Sequence, residues 1–388
     1  MRYLNLLHTA ACVAAICTFS AVAFAQAQKR PATSKPESDV LISTDGEKLI
    51  GKLIQSNDGF VTFHSNIAGK IKIEWSKIQE LHTAEQFAVV KKDVKLRRNE
   101  RGANIPQGTL SVANQQIQIR SSSTGDTQSV SVADAEYLIA SDTFEKTVLR
   151  GAGPLEDWRG AITAGASVVL ATQKSRTYTG NISLIRSVPP EDWLDPRNRT
   201  ILNFGGAYGI LQQPNTPDLK TEIYHADAEH DEYFTPRVYA FGQVAFDHNV
   251  SQGLRLEQVY GGGIGWTVIK NPNEAFDLKT SLSYVEQQFQ TQPNQNLLGS
   301  TFAENYRLKF VHKMLFTEQI SATPAWNNLN AYSIAGNAAL TIPLYKRLNF
   351  TIGSVDTFLN NPPPGFRKNS FQLTTGLTYA LGADNGTR

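Results

Sequence analysis

Cysteine is almost absent from this chain of 388 residues, which has only Cys12 and Cys17. Both fall within residues 1–25, where Arg2 precedes an apolar run that ends at the small-residue site Ala23-Phe24-Ala25, the pattern of a secretory signal peptide. Cleavage after residue 25 would leave a mature chain without cysteine. We therefore expect no disulfide framework, no thiol catalysis and no cysteine-ligated metal.

The chain also lacks a large excess of either charge, because it has 37 basic residues and 35 acidic ones. Loss of Arg2 with the signal peptide would lower the net charge from +2 to +1. This balance argues against nucleic acid as a partner, since nucleic-acid-binding surfaces are strongly basic. Beyond residue 25 the chain also lacks an uninterrupted apolar stretch of about eighteen residues, the length of a membrane helix. A secreted chain of this kind with strand patterning is either a soluble β-protein or an outer-membrane β-barrel.

The first third of the mature chain contains an internal repeat. Residues 26–37 are polar and rich in Lys, Arg and Pro, which predicts a flexible leader. Within residues 38–149, Gly51 aligns with Gly108, and the same offset of 57 residues places Ile73 on Val130. Each copy has the pattern strand, turn, strand, turn, strand and a short turn before a final Leu. We therefore predict an all-β tandem of SH3-like units in the periplasm.

A basic run at residues 91–98, KKDVKLRR, is the strongest charge cluster of the chain. It could contact anionic lipid or peptidoglycan, or it could be a solvated strand edge that its lysines keep from pairing, and we favour the second interpretation. The partner expected for the tandem module is a periplasmic protein or peptidoglycan.

From residue 150 to residue 388, large apolar residues alternate with small polar ones. The clearest case is the stretch 332–344, where Ile334, Leu340 and Ile342 share one parity and Ser333 and Thr341 the other. Similar runs recur from Trp158 onward, which predicts an antiparallel outer-membrane barrel of about twelve strands. At residues 238–246 the aromatic residues change parity, and this predicts a β-bulge.

An even strand number places both ends of the barrel on the same side, which is the periplasmic side if the N-terminal module lies in the periplasm. Turns after even-numbered strands should then be short and face the periplasm. On this basis, Leu315-Phe316-Thr317 and Tyr345-Lys346-Arg347 are expected to be tight periplasmic turns.

Residues that could carry chemistry are few. His225, Asp227 and Glu229 share one face of a predicted strand, with His230 on the other face. A metal or acid–base site is conceivable there, but charges clustered in a polar lumen are the commoner explanation. His248 and His312 are candidates for an acyl hydrolase only because no motif marks a nucleophile. We therefore assign no catalytic, cofactor-binding or metal-binding residue and expect no cofactor.

The glycine-rich run at residues 261–265 has no helix after it. It is therefore not a phosphate-binding loop, and its glycines are expected to let the wall bend.

Several segments resemble one family. They are NNPPPGFRKN at residues 360–369, LTTGLTY at 373–379, YFTPRVY at 233–239, GGGIGW at 261–266 and WRG at 158–160. Together they resemble the domain-of-unknown-function 481 family of salt-induced outer-membrane proteins over residues 158–381. The resemblance implies an outer-membrane barrel of uncertain role, with no catalytic residues to carry over. One departure is the tail of residues 382–388 after the last strand.

These observations lead to one hypothesis with two alternatives. The protein is expected to be a non-enzymatic integral barrel of the outer membrane, with a structural or narrow-channel role linked to osmotic or salt stress. Its partners would be outer-membrane lipid and the barrel assembly machinery. The alternatives are an outer-membrane enzyme that modifies lipid, such as an acyl hydrolase, and a soluble periplasmic β-protein.

Overall fold

The computed structural model describes residues 38–57, 59–94, 105–121, 125–149, 153–170 and 174–382. The predicted signal peptide (1–25), the leader (26–37), part of the basic run (95–98) and most of the C-terminal tail (383–388) lie outside the described residues. The described residues form a nine-stranded sheet followed by a closed barrel of twelve strands. Among them, no helix is both long and apolar enough to span a membrane.

The first part, which we call the N-terminal sheet, is antiparallel. Its strands are β1 Asp39–Ser43, β2 Lys48–Asn57, β3 Phe60–Ser65, β4 Gly69–Glu74, β5 Ile78–Lys91, β6 Gln107–Ala113, β7 Gln116–Arg120, β8 Thr127–Ser131 and β9 Ala135–Ala140. The order is β4-β3-β2-β1-β5-β6-β7-β8, and β9 pairs with β2 and β5. The 3₁₀ turns Trp75–Lys77 and Val132–Asp134 precede β5 and β9. They lie 57 residues apart, the offset of the sequence repeat; the SH3-like assignment remains a prediction.

Alternating apolar residues of these strands pack into a main core, and a second, smaller cluster includes residues of β5 and β9. Leu41, Val61, Phe63, Leu81 and Ile117 are fully buried in the main core. At its edge, the buried carboxylate of Asp39 accepts hydrogen bonds from the backbone amides of Leu53 (2.6 Å) and Ala84 (2.7 Å), which ties β1 to β2 and β5. Burial raises the pKa of the Asp39 carboxyl above its ordinary value, and these two hydrogen bonds oppose the shift.

The barrel begins after a short helical segment that comprises Ser141–Thr143 and a π-helical stretch, Phe144–Leu149. Its strands are β10 Arg159–Leu170, β11 Lys174–Val188, β12 Asn198–Gln212, β13 Leu219–Tyr233, β14 Val238–Asn249, β15 Leu254–Lys270, β16 Glu274–Phe289, β17 Gln295–Lys309, β18 Leu315–Pro324, β19 Tyr332–Tyr345, β20 Leu348–Leu359 and β21 Asn369–Leu381. Each strand pairs antiparallel with the next, and β21 returns to β10, from Gly160↔Leu381 to Ala164↔Leu377. The predicted all-β class and the strand number of twelve are confirmed.

The two faces of the wall differ as the alternation predicts. Phe204 lies opposite Ile182 on one neighbouring strand and Ala226 on the other, so these three side chains share the outer face. On that face Leu282 is 65% exposed, whereas Ser283, the next residue, points into the lumen and is 3% exposed. The barrel therefore presents apolar side chains outward and polar ones inward, which is the reverse of a soluble barrel.

Two local predictions are wrong. Leu315-Phe316-Thr317 is not a turn but the start of β18, because Phe316 pairs with Leu308 and adds to the apolar outer face. The turn lies just before it, at the 3₁₀ segment Val311–Lys313. The predicted turn at Tyr345-Lys346-Arg347 is confirmed, because β19 ends at Tyr345 and β20 begins at Leu348.

The predicted bulge at residues 238–246 is also absent. β14 and β15 pair in continuous register from Val238 to Asp247, and the irregularity follows between Asp247 and Asn249. The aromatic residues change parity because Tyr239 is buried on the lumen side, whereas Phe246 faces outward and is 38% exposed.

The N-terminal sheet packs against one end of the barrel, which we call the module end. The turn between β11 and β12 inserts Leu194, which is 2% exposed, into an apolar cluster with Val90, Tyr137 and Phe144. Arg197 of the same turn donates hydrogen bonds to the carbonyls of residues 147 and 148, at 3.5 and 3.2 Å. Turns after β11, β13, β15, β17 and β19 lie at this end, and the opposite end is the far end.

Leu194→Ala should weaken the contact between the N-terminal sheet and the barrel. Deletion of a buried leucine side chain leaves a cavity and costs roughly 2–5 kcal/mol. We expect a lower urea midpoint for the tryptophan fluorescence transition that reports on this contact through Trp193. Leu329→Ala is the matched control, because Leu329 is 83% exposed. Equal midpoints for the two variants would contradict the packing described here.

Candidate functional site in the barrel lumen

Ionisable side chains cluster on one half of the lumen wall. We call this set the charged ridge, and its members point inward from β12 to β16. They are Arg199, His225, Asp227, Glu229, Asp231, Asp247, Glu257, Asp277 and Lys279. On β13 they occupy every second position from 225 to 231 and alternate with Ala226, Ala228 and His230, which face outward.

At the module end of the ridge, ion pairs cross the lumen. Arg199 donates to Asp231 at 2.6 Å and to Asp277 at 3.0 Å. Lys279 donates to Glu229 at 2.6 Å. Because Arg199 is on β12 and Asp277 on β16, their contact spans the interior rather than following the wall. All five side chains are largely buried, and pairing offsets the cost of removing their charges from water.

An aromatic ring completes this end of the ridge. The guanidinium carbon of Arg199 lies 5.1 Å from the centre of the Tyr239 ring, a cation–π distance. Tyr239 is fully buried and lies directly opposite Gly265 on β15. A Cβ atom at Gly265 would overlap the ring. At Gly265, therefore, the glycine-rich run provides space for the Tyr239 ring. The sequence predicted a different role for these glycines, namely to let the wall bend.

Toward the far end, His225 lies between two carboxylates. One ring nitrogen is 2.8 Å from Asp227 and the other is 2.7 Å from Asp247. The two ring nitrogens can both donate a hydrogen bond only when the imidazole carries two protons. Asn203 donates to both oxygens of Asp227, at 3.2 and 3.0 Å, and accepts from Ser183 at 2.7 Å. These five residues form one continuous polar chain, which is partly exposed in the lumen.

The structure separates the residues that the sequence grouped. His225 and Asp227 meet, but Glu229 pairs with Lys279 instead. Within the described part of the chain, no group of three or more His, Cys, Asp or Glu residues could hold a metal ion. Arg199 and Asp277 were not predicted from the sequence, because their contact joins strands that are not neighbours. The one available signal is that both residues occupy inward positions of their strands.

The remaining histidines of the barrel lie outside the lumen. His230 faces outward, with Thr200 Oγ1 at 2.8 Å from one ring nitrogen and Glu232 at 3.3 Å from the other. His248 also faces outward, stacks on Tyr224 at 5.7 Å and donates to a backbone carbonyl. His312 lies in the turn between β17 and β18.

A turn folds inward and covers part of the far end. The 3₁₀ turn Val250–Gln252 joins β14 to β15, and Gln252 is only 3% exposed. Its Nε2 donates to the carbonyls of Thr357 (3.0 Å) and Lys368 (2.8 Å), which belong to the far side of the mouth. An apolar cluster of Leu254, Phe289 and Leu359 is buried beside it. This half of the mouth is therefore closed.

The other half of the lumen is lined by small polar side chains. Inward positions of β10 and β11 include Ser167, Asn181 and Ser183, all of which are exposed. We call this region the open passage. Asn203, Asp227 and the His225 ring border it on the side of the charged ridge. The lumen is thus filled on one side and accessible on the other.

Gly265→Ala should destabilise the barrel, because the added methyl group overlaps the buried Tyr239 ring and overpacking of this kind costs about 1–3 kcal/mol. We expect the variant to lose its folded gel band at a lower temperature than the unsubstituted protein. Gly242→Ala on the neighbouring strand is the control, since no atom lies within 4 Å of its added Cβ. Equal melting of the two variants would contradict the packing of Tyr239 against Gly265.

Comparison with known proteins gives one family. The profile of a family described as "Protein of unknown function, DUF481" matches residues 162–381, more than half of the chain. No curated protein matches.

Two solved structures match part of this chain. The translocator domain of the autotransporter NalP from Neisseria meningitidis is 10% identical, with a TM-score of 0.30 over 57% of this chain and 87% of that one. The β-domain of the Bordetella autotransporter BrkA is 8% identical, with a TM-score of 0.27 over 58% of this chain and 98% of that one. Likeness at these TM-scores supports no conclusion about function.

Proposed function

The chain belongs to the DUF481 family of proteins of unknown function, and we propose that it is an integral barrel of the outer membrane with a structural role. The observation that carries this proposal is the inverted wall of the closed barrel. Leu373 (66%), Phe371 (63%) and Phe302 (56%) are exposed on the outer face, while charged and hydroxyl side chains fill the interior.

This face favours lipid over water as the surroundings of the barrel. Each square ångström of apolar surface kept from water is worth about 25 cal/mol. Soluble monomers rarely expose contiguous apolar patches larger than a few hundred square ångströms. Here exposed apolar side chains occur on every strand of the barrel. A soluble periplasmic β-protein would have to leave this band in water, so we rank that alternative lower.

The proposed arrangement places the N-terminal sheet in the periplasm. Leu194 and Arg197 hold the sheet at the module end of the barrel. That end would face the periplasm, where the sheet could bind a periplasmic protein or peptidoglycan. The barrel assembly machinery would insert the wall into lipid, and the family resemblance suggests a role in osmotic or salt stress.

Cell fractionation tests this proposal. We expect the protein to sediment with outer membranes and to migrate faster on a gel when unheated than when boiled, because a closed ladder of strands resists detergent. A known porin and a soluble periplasmic protein serve as fraction markers. Recovery in the soluble periplasmic fraction, with no effect of boiling on migration, would overturn the proposal.

A second candidate function rests on one outward-facing arrangement. Thr200, His230 and Glu232 place a hydroxyl, an imidazole and a carboxylate in sequence on the lipid side of the wall. An acyl hydrolase needs a nucleophile, a base and a group that orients the base. His230 and Glu232 are exposed on the outer face and Thr200 is half-buried beside them, which would suit a lipid substrate.

His230→Ala tests the hydrolase candidate in purified protein with a phospholipid substrate. An enzyme of this kind would lose acyl-ester hydrolysis in His230→Ala, because the base is removed. His248→Ala would retain hydrolysis. His248 also faces outward, but it stacks on Tyr224 and does not contact Thr200 or Glu232 in this arrangement. Absence of hydrolysis in the unsubstituted protein would exclude this candidate.

A further inference from the structure

We propose that the open passage conducts small cations in preference to anions, with Asp227 and Asp247 setting this preference. The proposal rests on the outer-membrane location argued above and adds an activity to the structural role.

Pairing between neighbouring strands places the two carboxylates next to the small residues of the open passage. A single row of paired inward positions runs from Thr163 through Asn181 and Gly205 to His225 and Asp247. A Cβ atom at Gly205 would lie 3.4 Å from Nδ2 of Asn181, so the Asn181 side chain borders the space beside Gly205. The side chains of His225, Asp227 and Asp247 are 39%, 22% and 32% exposed. A permeating ion would therefore pass directly beside the two carboxylates.

The charged ridge has more acidic than basic side chains. It has six carboxylates against Arg199, Lys279 and a protonated His225. Another lumen-facing base, Arg159, is paired with Asp192 at 3.2 Å. Arg307 and Lys309 also occupy inward positions, on β17 beyond the ridge. The ridge that borders the open passage is thus negative, and a low-dielectric barrel strengthens that field.

Planar-bilayer recording of the full-length protein tests the inference. Under a potassium chloride gradient, we expect conductance steps whose reversal potential has the sign for cations. The preference should weaken as salt rises from 0.1 to 1 M, because the Debye length falls from about 10 to 3 Å. The double variant Asp227→Asn, Asp247→Asn should shift the reversal potential several-fold closer to zero. Asn181→Lys, which adds a positive charge to the exposed wall, should move it toward anions.

The control is Asp356→Asn, because Asp356 pairs with Phe371 and Gly336 on the outer face. It should leave the reversal potential unchanged, and each variant is first checked for heat-modifiable migration. An anionic or zero reversal potential, or inserted and heat-modifiable protein without conductance, would overturn the inference and leave the proposed location intact. Recovery of the protein outside the outer membrane would instead overturn the proposed function.

Discussion

Backbone pairing between β10 and β21 is the contact on which the barrel depends, because it removes the last free strand edge. Unpaired backbone groups are too costly in lipid for an open sheet to cross it. At this seam, the hydroxyl oxygens of Thr163 and Thr378 lie 2.8 Å apart on the lumen side and form a hydrogen bond. A Cβ at Gly376 would lie 2.6 Å from the carbonyl oxygen of Ala164, so the close approach of the backbones there requires glycine. Closure also fixes the register, and the register decides which face every side chain occupies.

That assignment of faces explains why the lumen can hold so many charges. Arg199 organises the module end because it bonds to Asp231 and Asp277 and lies against Tyr239. Buried ion pairs of this kind contribute little net stability, but removal of one partner is costly. Their contacts across the lumen fill one side and leave the small residues of β10 and β11 to line the other. A structural barrel and a narrow cation path are therefore compatible within one wall.

Much of the fold could be predicted from the sequence, because a wall with two different faces leaves a period of two in the residues. The strand number and the turn after Tyr345 follow from that period alone. Contacts across the lumen could not be predicted. The sequence shows only that Arg199 and Asp277 both occupy inward positions of their strands, and it does not show that these two distant strands bring them together. The aromatic residues of β14 were misinterpreted because Tyr239 fills the space above Gly265 on the inner face. Phe316 was likewise predicted to lie in a turn, but it belongs to β18 and pairs with Leu308.

Lipid exposure of alternate residues is the most direct test of the inverted wall. Cys12 and Cys17 are the two cysteines of the sequence. After both are replaced by serine, a single introduced cysteine would be the only one in the chain, so spin labels can be placed one by one along β19, from residue 333 to residue 342. In reconstituted vesicles we predict high oxygen accessibility at the even positions, including Ile334 and Leu340, and low accessibility at the odd ones. Equal accessibility of both sets to a water-soluble nickel reagent would contradict a membrane-spanning barrel.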